Sequence, residues 1–233
     1  MLDPASQPRS LDTLSATRRH APLGTAEQPD LLLIERARGG SEPATEALIR
    51  RYARRLFRVA RSVILDDERA ELAVHEACIA AFGDLSRYEP TGKFAAWLTR
   101  LTYQHARSAR LPAWLPQHPA AEVPASASAQ LQKRRELTRA IEQLPEVFRT
   151  VFVLRVLEGI SGIESAASLG VHETTVRTRL YRAHRRLDAE LVRSIRLLPD
   201  LMDLPDGAAQ RLVSATLAHL PRNSAGPGGA TSP

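Results

Sequence analysis

Cysteine occurs once in these 233 residues, at Cys78, so the chain cannot form an internal disulfide, and a lone thiol fits a reducing compartment. Lysine is almost missing: Lys93 and Lys133 stand alone, and arginine supplies the rest of the 32 basic residues. There is no run of about 18 apolar residues, which excludes a membrane-spanning helix. The opening stretch, MLDPASQPRSLDTLSATRRH, has no apolar core of signal-peptide length. Together these absences predict a soluble, cytoplasmic protein with no membrane insertion. No stretch alternates in the manner of a β-strand, and no repeat of fixed period occurs. Glycine-rich phosphate loops and nucleophile motifs are absent too. His75 and Cys78 stand about one helical turn apart, but two groups do not make a zinc site, and the other histidines have no ligand spacing. The expectation is a chain that is not an enzyme and takes no cofactor or metal. Cys78 reads as a small buried residue.

What is present is positive charge. The formal net charge is +6 and the pI about 10.2, which points to an anionic partner such as nucleic acid. Arginine suits forked contact with phosphates and guanine edges.

Helical periodicity organises nearly all of the chain into an all-α fold of two small domains. Residues 1–28 mix Pro, Ser, Thr and Arg without period and read as disordered. A first domain spans 29–111. In it, Asp30 is placed to cap "LLLIERAR". The next helix carries Leu48, Tyr52, Leu56, Val59 and Val63 as one stripe. Its arginines, from Arg50 to Arg61, lie mostly on the other faces, solvated or paired. A third helix, "LDDERAELAVHEACIAAFGDL", places acids in its first turns, where the helix dipole favours them. "SRYEPTGK" is a loop, and a fourth helix follows from Phe94. Trp97 lies on that helix's apolar side with Phe94 and Leu101, which favours core packing.

Prolines at 112, 116, 119 and 124 mark 112–130 as a linker. A second domain spans 131–196: "LQKRRELTRAIEQL", then a helix beginning after Pro145. An extension, 197–233, holds a helix with the stripe Leu212, Val213, Thr216, Leu217 and Leu220, then a loose tail.

Residues 159–187, "GISGIESAASLGVHETTVRTRLYRAHRRL", carry the functional signal. Ser161 followed by Glu164 is a capping-box pattern. It starts a helix expected to turn Ile163, Ala166 and Ala167 inward. Gly170 supplies a left-handed stop. Val176, Leu180, Ala183 and Leu187 form the buried stripe of the next helix, so Thr174, Arg177, Thr178, Tyr181, Arg182 and Arg185 point away from it. Two helices joined by a glycine turn, the second with a basic outer face, make a helix-turn-helix whose second helix enters the major groove.

With those residues in view, 144–187 resembles the promoter −35-reading domain of extracytoplasmic-function sigma factors, the small members of the sigma-70 family. "LIRRYARRLFRVARSVI" through "FAAWLTRLTYQHARSAR" resembles their −10-reading, polymerase-binding domain. The matches cover roughly 30–190, in the family's order. The resemblance implies a protein that recruits core RNA polymerase to promoter DNA and helps open it. It implies polymerase contacts at Asp66, Asp67, Glu71, His75 and Glu76, against a coiled coil of the largest subunit's clamp. The family usually has Asp where this chain has Leu72, and Gln where it has His75. Tyr88, Lys93, Arg100, Tyr103, Gln104 and Arg107 fall in the segment that holds the −10 element as a single strand; Gln104 stands where Asn is common. Thr174, Thr175, Arg177, Thr178, Tyr181, Arg182 and Arg185 fall where the −35 element is read. A second reading stays open: a helix-turn-helix regulator of sigma ancestry that no longer engages polymerase. The stripe of the extension can dock on the domains or bind a partner such as an anti-sigma factor.

Overall fold

A computed structural model describes residues 25, 28–89, 93–110, 129–187, 189–196, 198 and 200–220. Most of the disordered opening read at 1–28, most of the linker read at 112–130 and the tail after 220 lie outside the described residues, as do 90–92 of the loop.

Among the described residues the chain is helical, with no strand. The first four helices are α1 (Asp30–Arg38), α2 (Glu42–Ile64), α3 (Asp67–Gly83) and α4 (Phe94–Ala109). The expected stripe of α2 is buried, and so are Ile49, Ala53, Phe57, Ala60 and Ile64. A helix apolar on more than one face belongs inside a bundle, and α2 has α1, α3 and α4 packed around it. Asp66 caps α3, accepting from the Arg69 amide at 2.9 Å.

Asp30 does not cap α1. Pro29 holds that position, and Asp30 is the first helical residue. Its carboxylate accepts from the Tyr52 phenol and the Arg51 guanidinium. The buried phenol must have an acceptor, and Asp30 supplies it. Trp97 packs on its core side, with its ring centroid 5.4 Å from Tyr88 and 5.6 Å from Phe94.

The later helices are α5 (Ala129–Glu142), α6 (Glu146–Phe152), α7 (Gly162–Leu169), α8 (Glu173–Arg186), α9 (Ala189–Arg196) and α10 (Ala208–His219). α6 runs on into a wider π-helical turn, Val153–Leu157. Ser161 caps α7 through the Glu164 amide at 3.1 Å. Gly170 ends it at φ 65, a conformation in which a side chain is strained.

The inward face of α7 differs from expectation. Ala166 is buried, but Ile163 is 71% exposed and Ala167 is exposed; Ser165, Ser168 and Leu169 turn inward instead. α7 is held between α8 and α4 rather than against α8 alone, and this second neighbour resets which side is covered.

Two apolar cores result. One joins the first four helices to Val151, Leu154, Ile160, Ala166, Leu169 and Val176 of the second domain and to Leu212 and Val213 of α10. The other gathers α5, α6, α8 and α9 around Phe152 and Ile195. None of the described helices is long and apolar enough to cross a membrane.

Candidate nucleic-acid and polymerase interfaces

α8 is fixed from behind by Val176, Ala183 and Leu187, all buried, and by half-buried Leu180. The stripe read from sequence is the one the fold uses. Its outer side presents Thr174, Arg177, Thr178, Tyr181, Arg182 and Arg185, all exposed, with Thr175 half-buried at the edge. Tyr181 is 62% exposed. The Thr178 hydroxyl donates to the Thr174 carbonyl at 2.9 Å. Arg186 is used differently: its guanidinium lies 4.8 Å from the centre of the Phe148 ring.

Gly162 lies against the Glu173 side chain at the start of α8. A Cβ on Gly162 would stand 2.7 Å from Glu173 Oε1, so a larger residue would make the Glu173 side chain shift.

The residues expected to hold the −10 strand divide into two groups. Arg100, Gln104, Arg107 and Lys93 are exposed along α4 and its start. Tyr88 and Tyr103 are buried, 3% and 8% exposed. The Tyr88 ring meets Phe94 edge-on at 5.2 Å, and its backbone carbonyl accepts from Arg38 at 2.5 Å. Burial, with Glu146 nearby, pushes the Tyr103 phenol pKa up.

The exposed group faces the helix-turn-helix domain. Lys93 Nζ lies 3.0 Å from Glu164, and Arg107 Nε 3.9 Å from Glu146. Arg100 lies against Gly170, where an added Cβ would come within 3.3 Å of the guanidinium. In this arrangement acids of the second domain pair with Lys93 and Arg107 of this face, which stay exposed to solvent.

The residues expected to grip polymerase lie on or beside α3. Asp66 is spent on the cap, and Asp67 pairs with Arg61. Glu71 takes both arms of Arg211, each at 2.7 Å. His75 is half-buried with its ring edge-on to His219 at 5.5 Å. Glu76 is exposed, 3.6 Å from His105 Nδ1. Among the described residues no group of three or more His, Cys, Asp or Glu is placed to hold a metal. Cys78 is fully buried, and burial pushes its thiol pKa up to about 12, so it does not ionise near neutral pH.

Comparison with known proteins fits both halves. Residues 48–114 match the family description Sigma-70 region 2, and residues 134–187 match Sigma-70, region 4. The ECF RNA polymerase sigma factor SigM of Mycobacterium tuberculosis is 30% identical over 171 residues, which are 70% of this chain and 85% of that protein. The chain belongs to the extracytoplasmic-function sigma factors. SigE of Mycolicibacterium smegmatis is 31% identical over 156 residues; the match spans 62% of this sigma factor and 60% of that one. The solved structure of CnrH in complex with the cytosolic domain of CnrY has a TM-score of 0.55 at 26% identity, covering 70% of this chain and 96% of that one.

The α2 arginines expected to be solvated or paired do pair, and their partners lie in this sigma factor's other domain. Arg58 on α2 is fully buried, and its Nη1 donates to Glu158 at 2.7 Å. Arg55 Nη1 reaches Glu164 at 3.2 Å, and Arg61 Nη2 reaches Glu142 at 2.6 Å. Arg149 on α6, 5% exposed, donates to the carbonyls of Ser62, Glu142 and Leu144. The acids 142, 158 and 164 of the second domain answer the arginines of α2, and Glu146 answers Arg107 and Arg110 of α4; the sequence shows these charges but not their pairing.

Proposed function

We propose that this sigma factor binds core RNA polymerase through α3, reads the −35 element with α8 and holds the melted −10 strand along α4. The polymerase carries out the chemistry, and this chain supplies position and strand separation. The outward row Arg177, Arg182 and Arg185, on a helix whose other side is fixed in the core, carries this reading. That is the geometry a major-groove helix needs. Extruding a −10 base costs a few kcal/mol, which backbone contacts from Lys93, Arg100 and Arg107 help offset. Gln104, exposed among them, is placed to read a base edge. Because Lys93 and Arg107 pair with acids of the second domain, promoter engagement requires the two domains to part. An anti-sigma factor would act on the same surfaces; the relative CnrH is known in complex with the cytosolic domain of CnrY.

Run-off transcription with core polymerase on a promoter library tests the whole reading. Transcripts that start at a fixed distance from shared −35 and −10 sequences are expected. Absence of any binding to core polymerase would leave the second reading, a DNA-binding regulator that does not recruit it. Arg177→Ala should weaken −35 binding by about tenfold, since one forked arginine–guanine contact is worth roughly 1–3 kcal/mol. Unchanged binding would remove Arg177 from the interface.

A further inference from the structure

α10 covers side chains of α3 that the proposed function assigns to the polymerase. α10 lies across α2 and α3, with Leu212, Val213 and Thr216 buried at 1%, 2% and 0% exposure. Arg211 grips Glu71 with both arms at 2.7 Å. Four residues further along α3, about one helical turn, the His75 ring meets His219 at 5.5 Å. Gln210 extends the contact to Arg50 of α2. The chain leading to α10 runs from the second domain over the first. Arg134 donates to the Asp200 carbonyl at 2.8 Å, Asp203 lies 3.9 Å from Arg58, and Leu204 packs on the core shared by both domains.

We infer that α10 is a built-in cap on the polymerase-binding helix, and that it must leave α3 before Glu71 and His75 can engage core polymerase. The inference rests on the assignment of α3 as the polymerase-binding helix. The docking is built to be reversible. Its one ion pair is at the surface, and exposed pairs add little. His75 Nε2 is buried without a hydrogen-bond partner, so α10 covers α3 without fully satisfying it. A partner that supplies that bond has the advantage. Leu72, 56% exposed, remains open beside the cap and gives the polymerase a first foothold.

When the competent state is a fraction of the population, apparent affinity falls by that fraction. Weakening the cap therefore tightens polymerase binding. The test uses the full chain with Arg211→Glu, which sets like charges against each other at Glu71, and separately Val213→Asp, which places a carboxylate in the apolar contact. Affinity for core polymerase is measured by titration, and hydrogen exchange of the α10 amides reports docking without polymerase. Faster α10 exchange with binding tightened by about threefold or more in both variants is the expected result. Equal binding by the parent and both variants, despite faster exchange, would overturn the cap and leave the sigma assignment standing. Weaker binding would overturn it too, by making α10 part of the polymerase surface. If no form binds polymerase while exchange still responds, the polymerase reading itself fails and the cap falls with it.

Discussion

Arg149 ties three elements together with one side chain. Its guanidinium serves carbonyls on α2, on the end of α5 and on the turn after it. Burial pushes its pKa down to about 10, still well above neutral pH, so the charge is retained. Arg149→Met leaves those carbonyls without a donor in a covered site, and a loss of about 2–4 kcal/mol in chemical denaturation is expected. Arg149→Lys should recover only part of it, because an ammonium lacks the planar fork. His184 makes a pH prediction. Burial, then the nearby Arg196 charge, lowers its pKa, so the folded state prefers the neutral ring. The unfolded chain takes up that proton near pH 6.5. Stability is therefore whole above that pH, declines as pH falls from about 6.5 toward the lowered folded value, and stops declining below it. Thermal melts from about pH 7.5 to about 5.5 should show this slope, and His184→Gln should remove it. None of this was readable at residue level beforehand. An arginine inside a helix pattern reads as surface, and only its neighbours in space show that it is covered.

At the scale of elements the sequence was far more informative. Period and punctuation place α2, α3, α4, α7 and α8, because each has a stripe, a cap or a glycine stop that acts locally. Ser161→Ala should cost about 1 kcal/mol by exposing the first amides of α7. Gly170→Ala should cost a similar amount or more, through its positive φ and the Arg100 guanidinium close by. Both are measured by denaturant midpoint. What failed at this scale failed for tertiary reasons. Ile163 and Ala167 looked inward on a helix drawn against α8 alone, and α4 turned them outward. Asp30 looked like a cap until the Tyr52 phenol claimed its carboxylate. The division between α8 and α9 also went unread, since the apolar spacing continues through Leu187 and Leu191 while the helix breaks between them.

The whole molecule adds what no single element contains: the two domains are closed on each other through a shared apolar core and through pairs of opposite charge. A sequence lists those charges but not their pairing, which depends on how the domains meet. Arg58 is the centre of that closure. Removing one partner from a buried pair costs about 3–5 kcal/mol, because the remaining charge is left in a covered site. Here the molecule has an alternative to bearing that cost, since parting the domains returns Arg58 to water while α1–α4 keep their own contacts. Glu158→Gln should therefore open the chain rather than unfold it. Its radius of gyration in X-ray scattering should rise, its helical circular dichroism should stay near that of the parent, and its single unfolding transition should separate into two. Single-stranded −10 DNA should bind more tightly, because Lys93 and Arg107 are released from Glu164 and Glu146. Raised salt should shift the parent in the same direction through the exposed pairs, and Glu158→Gln less so, since it begins open. A variant that stays compact and binds the strand no better would mean that closure rests on the shared apolar core, with the charge pairs following from it.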